Sequence, residues 1–151
     1  MKPDQKINVR VRLVIINQGK ILLSYVKDEN FYFYIGGKME YGETVEQACQ
    51  REIKEECTAN FTFKKILYVR DFIVPKINEH SLELFILGDI DQFKQVEGKI
   101  DPEFGDNKWQ TWVDLKKLSQ IKVLPQQLTP RLLKDYQSGF NNPISYLGAI
   151  K

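Results

Sequence analysis

Apolar and polar positions alternate in part from Ile7 to Leu13, with Val9, Val11 and Leu13 set against Arg10 and Arg12, and the run then turns wholly apolar to Ile16. Such a pattern predicts a strand that enters a sheet covered on both faces. Asn17-Gln18-Gly19-Lys20 supplies a turn, and Ile21 to Val26 reads as the hairpin partner. Asp28-Glu29-Asn30 breaks the chain before an aromatic run, Phe31 to Ile35, that ends on Gly36-Gly37. Alternate aromatics in a strand belong more often to a core than to a base-stacking surface.

A helix follows. Thr44 with Gln47 three residues later has the form of a capping box, in which each side chain satisfies the other's free backbone amide. Val45, Cys49, Ile53 and Cys57, with Ala48 beside them, recur at four-residue spacing and predict the buried stripe. Glu52, Glu55 and Glu56 lie away from the centre of that stripe. Beyond the helix, Phe61 to Val74 and Ser81 to Ile90 read as a strand pair joined by Pro75 to His80, with His80 ending the turn.

The polar stretch Asp91 to Lys108 is the longest expected loop, and Trp109 to Val113 the last short strand. Asp114 is placed to cap a short helix through Leu118, and Thr129-Pro130 to start another that runs to about Tyr136. Asn60 is expected to take the backbone turn that closes the first helix. Strands in mixed order with helices on either side imply an α+β fold, an α/β/α sandwich around a mixed β-sheet. The 151 residues contain no repeat or low-complexity linker, so one domain, 1–151, is expected.

Composition narrows the picture. The chain is 42% hydrophobic and 28% charged, which is ordinary for a globular domain and unlike a disordered one. Its 22 basic and 20 acidic residues nearly cancel, so no broad field draws it to nucleic acid or to a membrane surface. Lys64-Lys65 and Lys116-Lys117 are too small to signal RNA binding. No run has the length of a membrane span and MKPDQKINVR is not an apolar leader, so a cytoplasmic location is expected. Cys49 and Cys57 lie about 12 Å apart along one helix, too far to bridge, and read as reduced core thiols.

The chemistry gathers at residues 52, 55 and 56, three carboxylates related by steps of three and four and so on one helical face. Like charges at this spacing repel, each pair costing on the order of 0.2 to 0.5 kcal/mol on an exposed helix. Two remedies are open. Arg51 and Lys54 can relieve a solvated acidic face, the commoner arrangement on spacing alone, or a hard divalent cation such as Mg²⁺ can neutralise it.

The wider pattern favours the second. Gly37, Glu43, Arg51, Glu52, Ile53, Glu55 and Glu56 fall in register on a motif that resembles the Nudix box of the Nudix hydrolases. The box spans 23 residues, Gly37 to Ala59, and departs from the family pattern where Thr58 replaces the final Gly. The resemblance implies a Nudix-type fold and a Mg²⁺-dependent hydrolase, with Mn²⁺ as a substitute, that cleaves the diphosphate linkage of a small nucleoside diphosphate derivative. It implies Glu55 and Glu56 as principal metal ligands, Glu52 as a further ligand or as the residue orienting the attacking water, and the Gly36 carbonyl as another ligand. Arg51 and Glu43 would support them, and a homodimer is a common form among relatives.

A general base lies within the box in some relatives and in a later loop in others; Asp106, six residues before Trp112, and Glu103 are the loop candidates, with Asp106 favoured. Arg10, Arg12, Gly37 and Lys38 are the candidate substrate contacts, although edge solubility is the commoner reason for paired arginines on a strand. Two other classes stay in view. One is a Nudix-like module that has lost catalysis and senses a nucleotide or binds a protein, against which the intact carboxylate pairs count. The other is an isoprenyl diphosphate isomerase using a Cys and a Glu, against which the apolar placement of both cysteines counts.

Overall fold

A computed structural model describes residues 2–101 and 105–151. The first strand, β1 (Asn8–Asn17), turns through Gln18 and Gly19, both at positive φ, into β2 (Lys20–Val26). Two positive φ values match the right-handed twist of a two-residue hairpin. The expected hairpin is nevertheless brief: only Ile16↔Ile21 and Asn17↔Lys20 pair before the strands part into different sheets. Short strands β3 (Phe31–Phe33) and β4 (Gly36–Lys38) follow, then helix α1 (Val45–Cys57).

The chain continues through β5 (Phe61–Val74) and β6 (Glu79–Ile90), a long antiparallel pair with two register shifts in β5. His80 lies inside β6, opposite Ile73, so it is a strand residue and not the end of a turn. Beyond β7 (Ile100–Asp101), β8 (Gly105–Asp114) begins well before the expected Trp109: it pairs along the whole of β2 from Lys20↔Asp114 to Val26↔Lys108, and its first residue, Gly105, pairs with Asp101 of β7. The stretch before it is tied down by side chains. Glu97 accepts hydrogen bonds from the Thr111 hydroxyl and the Trp112 amide, the Trp112 indole donates to the Phe93 carbonyl, and Val96 is fully buried. Asp114 caps a short 3-10 turn at Leu115–Gln120. Strand β9 (Val123–Leu124), helix α2 (Thr129–Gln137) and strand β10 (Ser145–Tyr146) complete the chain.

One sheet runs β10-β5-β6-β1-β4, with β1 parallel to β6 and antiparallel to β4; the other is built on β2, flanked by β3 with β9 and by β8 with β7. Strand β1 therefore sits inside its sheet, which corrects the edge expected for Arg10 and Arg12. Alternate β1 residues serve two cores, which explains its apolar run. Val11, Leu13 and Ile15 pack with Ala48, Cys49, Ile53 and Cys57 of α1, whereas Val14 packs with Tyr34, Tyr68, Phe85 and Leu132 of α2. These are the layers of the expected α/β/α sandwich. Both cysteines are buried and neither is in a disulfide, and burial pushes the Cys49 thiol up to about 12.

Helix α1 opens on the expected capping box at Thr44 and Gln47. It ends differently from expectation. Thr58 itself adopts the left-handed turn, at φ 54 and ψ 39, with its amide bonded to the Lys54 carbonyl. Asn60 instead bonds Asp91 through its backbone and side-chain amides. A β-branched residue is strained at positive φ, so Thr58→Gly should stabilise the protein by about 0.5–1 kcal/mol. A fall in the thermal midpoint of that variant would refute this account of the helix end.

Candidate active site

Strand β4 ends the run of aromatics on two glycines because neither position has room for a side chain. A Cβ at Gly36, where φ is 146, would lie 1.9 Å from the Val11 carbonyl oxygen, and one at Gly37 would lie 2.5 Å from Glu52 Oε1. The backbone is thus pressed between β1 and the carboxylates of α1. The Gly36 amide donates to Glu56 Oε2 at 3.1 Å, and this bond fixes the helix against the strand end.

The three carboxylates divide. Glu52 and Glu56 are buried, at 7% and 8% exposure, while the Glu55 side chain is 57% exposed. Arg51 gathers the acids. Its guanidinium bonds both oxygens of Glu43, donates to Glu52 Oε1 at 3.0 Å and Glu55 Oε2 at 3.4 Å, and closes on the Lys38 carbonyl at 3.0 Å. A bidentate pair of this kind fixes geometry as well as charge, so Arg51 locks the 36–44 segment onto the helix. Its hydrogen bonds hold the Glu43 carboxyl below the usual range. Burial raises Glu52 above it, with Arg51 only partly offsetting that cost.

A further cation comes from β8. Lys108 is 7% exposed, with Nζ 3.6 Å from Glu56 Oε1 and 4.7 Å from the centre of the Phe33 ring. Sequence reasoning missed it by ending a loop at Lys108. The signal was the alternation of Asp106, Lys108, Gln110 and Trp112 into an apolar strand, which extends β8 backward. Asp106 shares the Lys108 face by strand periodicity, two residues along, and is exposed. Glu103 lies outside the described residues.

Of the candidate substrate contacts, Arg12 pairs in register with Gly36 and bonds Glu83. Arg10 and Lys38 face each other across β1 and β4, and both reach Glu79, at 3.3 and 3.5 Å. That places Arg10 and Lys38 in a separate polar cluster with Ser81.

The family model for the NUDIX domain matches residues 6–133. This chain belongs to the Nudix family. As a Nudix protein it is a hydrolase acting on pyrophosphate bonds. Solved structures with the same fold include a NUDIX hydrolase from Nitrosomonas europaea, 22% identical with a TM-score of 0.65, covering 91% of this chain and 93% of that one. An ADP-ribose pyrophosphatase from Streptococcus suis is 16% identical with a TM-score of 0.63, over 92% of this chain and 98% of its own. A UDP-X diphosphatase is 16% identical with a TM-score of 0.68, over 95% and 69%. At such identities the likeness is one of fold.

The Nudix box donors suit a hard divalent cation. Glu43, Glu52 and Glu55 share the one guanidinium of Arg51, and Glu56 lies beside Lys108. The space over Gly37 that a Cβ would fill leaves Glu52 against bare backbone. Among the described residues no three His, Cys, Asp or Glu side chains are grouped so as to hold a metal ion by themselves; Mg²⁺ is commonly bound through one or two carboxylates and completes its shell with water or phosphate oxygens. Among the described residues no helix is long and apolar enough to cross a membrane.

Proposed function

We propose that this Nudix protein is a Mg²⁺-dependent hydrolase that cleaves the diphosphate linkage of a small nucleoside diphosphate derivative by water attack on phosphorus. The observation that carries the reading is the pair of buried carboxylates at the β4 backbone: Glu52, bonded by Arg51 beside Gly37, and Glu56, which accepts from the Gly36 amide. The two stand four residues apart on one helix, where like charges repel and burial adds to the cost unless a cation joins them.

Glu52, Glu55 and Glu56, with the Gly36 carbonyl, would hold the metal, for which Mn²⁺ is a substitute. Bound there, it would neutralise diphosphate oxygens and lower the pKa of water. The chain's own residues do the rest. Arg51 positions the acids, Glu52 is placed to orient a water, and Lys108 offers a positive charge beside Glu56 for a phosphate oxygen. Asp106 stands about 7 Å along β8 from Lys108 on the same face, a second candidate for the base. The nucleotide-linked substrates named for the two diphosphatase structures, ADP-ribose and UDP-X, belong to the class proposed.

The test is phosphate or nucleotide release from a panel of nucleoside diphosphate sugars, dinucleotides and nucleoside triphosphates, with Mg²⁺ and with EDTA. Cleavage of one class that stops in EDTA is the expected result. Nucleotide binding without turnover on any member would replace the hydrolase with a sensing module.

A further inference from the structure

Strand β1 carries an arginine where an apolar side chain would fit its surroundings. Residues 12, 14 and 16 share one strand face, and Val14 and Ile16 pack into the core on the α2 side. Arg12 stands on that face with its side chain only 16% exposed. A half-buried cation costs desolvation, and chains break such local rules mainly at functional or strained sites.

The neighbours of Arg12 fix its direction. Nε donates to Glu83 Oε2 at 2.6 Å, and the other oxygen of Glu83 lies 2.7 Å from Arg70 Nη2. Held in this way, the guanidinium donates from Nη1 to the Tyr34 carbonyl at 3.4 Å. That carbonyl lies at a crossing. Phe33 ends β3 in the sheet built on β2, Gly36 begins β4 beside β1, and Tyr34 and Ile35 carry the chain from one sheet to the other. Buried carbonyls outside a ladder need other donors. Ile35 accepts from the Leu13 amide at 2.8 Å, and Tyr34 from Arg12. Immediately beyond, Gly36 faces Arg12 in register at φ 146, with its amide on Glu56.

We propose that Arg12 is a positioning residue for the metal site: by holding the Tyr34 carbonyl at the crossing, it fixes how Gly36 presents its backbone to Glu56 and to the cation. The inference rests on the hydrolase reading above, in which the Gly36 carbonyl is a ligand. The role differs from the substrate contact expected of Arg12, and Glu83 and Arg70 act as its support. Charge and position pull in opposite directions here. Burial raises the Glu52 carboxyl, and the Arg12 charge is among those that oppose the rise. By charge alone Arg12 therefore repels a metal ion at Glu52, and its loss would tighten binding. By position its loss lets the crossing drift and weakens binding. The sign of the change separates the two.

The experiment titrates Mn²⁺ into the native protein, Arg12→Gln and Arg12→Lys, with the free ion counted by electron paramagnetic resonance. Amide hydrogen exchange of residues 33–38 is followed in EDTA beside it. Glu83 keeps Arg70 as its counter-charge in both variants, so each should fold, which the thermal midpoint in EDTA checks. Arg12→Gln should bind Mn²⁺ about tenfold more weakly, the low end of what a metal site loses with its outer support. Arg12→Lys keeps the charge but puts a point where a fork serves two partners, and should lose several-fold. Exchange at the Gly36 amide should quicken in both. Tighter Mn²⁺ binding in Arg12→Gln, affinity within about twofold of native in either variant, or unchanged exchange at Gly36 overturns the proposal. Should Arg12→Gln fail to fold, Arg12→Lys decides alone. Native protein that takes up no Mn²⁺ overturns the hydrolase reading and this inference with it, whereas native binding that the variants share overturns the inference alone.

Discussion

Glu56→Gln should lower Mg²⁺-dependent hydrolysis on the order of a hundredfold or more, as expected when a ligand and not merely its support is lost. The substitution is nearly isosteric. An amide oxygen can still accept from the Gly36 amide at the place where Glu56 Oε2 does so at 3.1 Å. What disappears is one negative charge, and with it the attraction to Lys108 and the repulsion from Glu52 and Glu55. Those terms oppose each other, so the metal-free variant should melt close to the native protein. The diagnostic is then the shift of the thermal midpoint as Mg²⁺ is added. A ligand that binds only the folded state stabilises it in proportion to RT ln(1 + [L]/Kd), and weakened metal binding should shrink that shift. A variant that keeps both full turnover and the full Mg²⁺-dependent shift would remove Glu56 from the metal site.

The chain announced the box because its residues act at short range. Thr44 and Gln47 cap each other three residues apart, and the Arg51, Glu52, Glu55 and Glu56 set lies on two turns of one helix, so local spacing carries the geometry. The strand pair β5 and β6 was equally legible, since two long apolar segments flank a single proline-marked turn. Other features depend on partners far along the chain. Lys108 gains its meaning from Glu56 and Phe33, 52 and 75 positions away, and β8 gains its length from β2. Arg70 and Glu83 stood in plain view as charges inside apolar strands, yet nothing local said that they face each other across β5 and β6 in register. Thr58 broke the rule for helix ends, and the helix closes through it regardless, with the strain tolerated at an exposed position.

The register pair at positions 70 and 83 carries the largest expected effect on stability. The Glu83 side chain is 3% exposed and faces two guanidiniums, with Arg12 Nε at 2.6 Å and Arg70 Nη2 at 2.7 Å. Arg70 is itself buried and lies 4.9 Å over the Phe72 ring; burial depresses its pKa, and the Glu83 charge works against that depression. Glu83→Gln keeps the volume, so no cavity forms, but it leaves two guanidiniums facing each other without a counter-charge. Breaking a buried pair in this way costs about 3–5 kcal/mol. At this chain length the thermal midpoint should fall by roughly 10 °C. The opposite change separates the cost of a broken pair from the worth of the pair itself. Replacing Glu83 and Arg70 together by leucine removes one charge of each sign and leaves Arg12 beside solvent, with its side chain 16% exposed. That double variant should recover most of the stability lost in Glu83→Gln, because well-packed apolar residues match or exceed a buried ion pair in free energy. If Glu83→Gln unfolds within about 0.5 kcal/mol of the native protein, the typical span of an exposed substitution, the two guanidiniums are solvated and the buried-charge account fails. If the double variant is as unstable as the single one, the loss comes from packing around β5 and β6 and not from the unpaired cations.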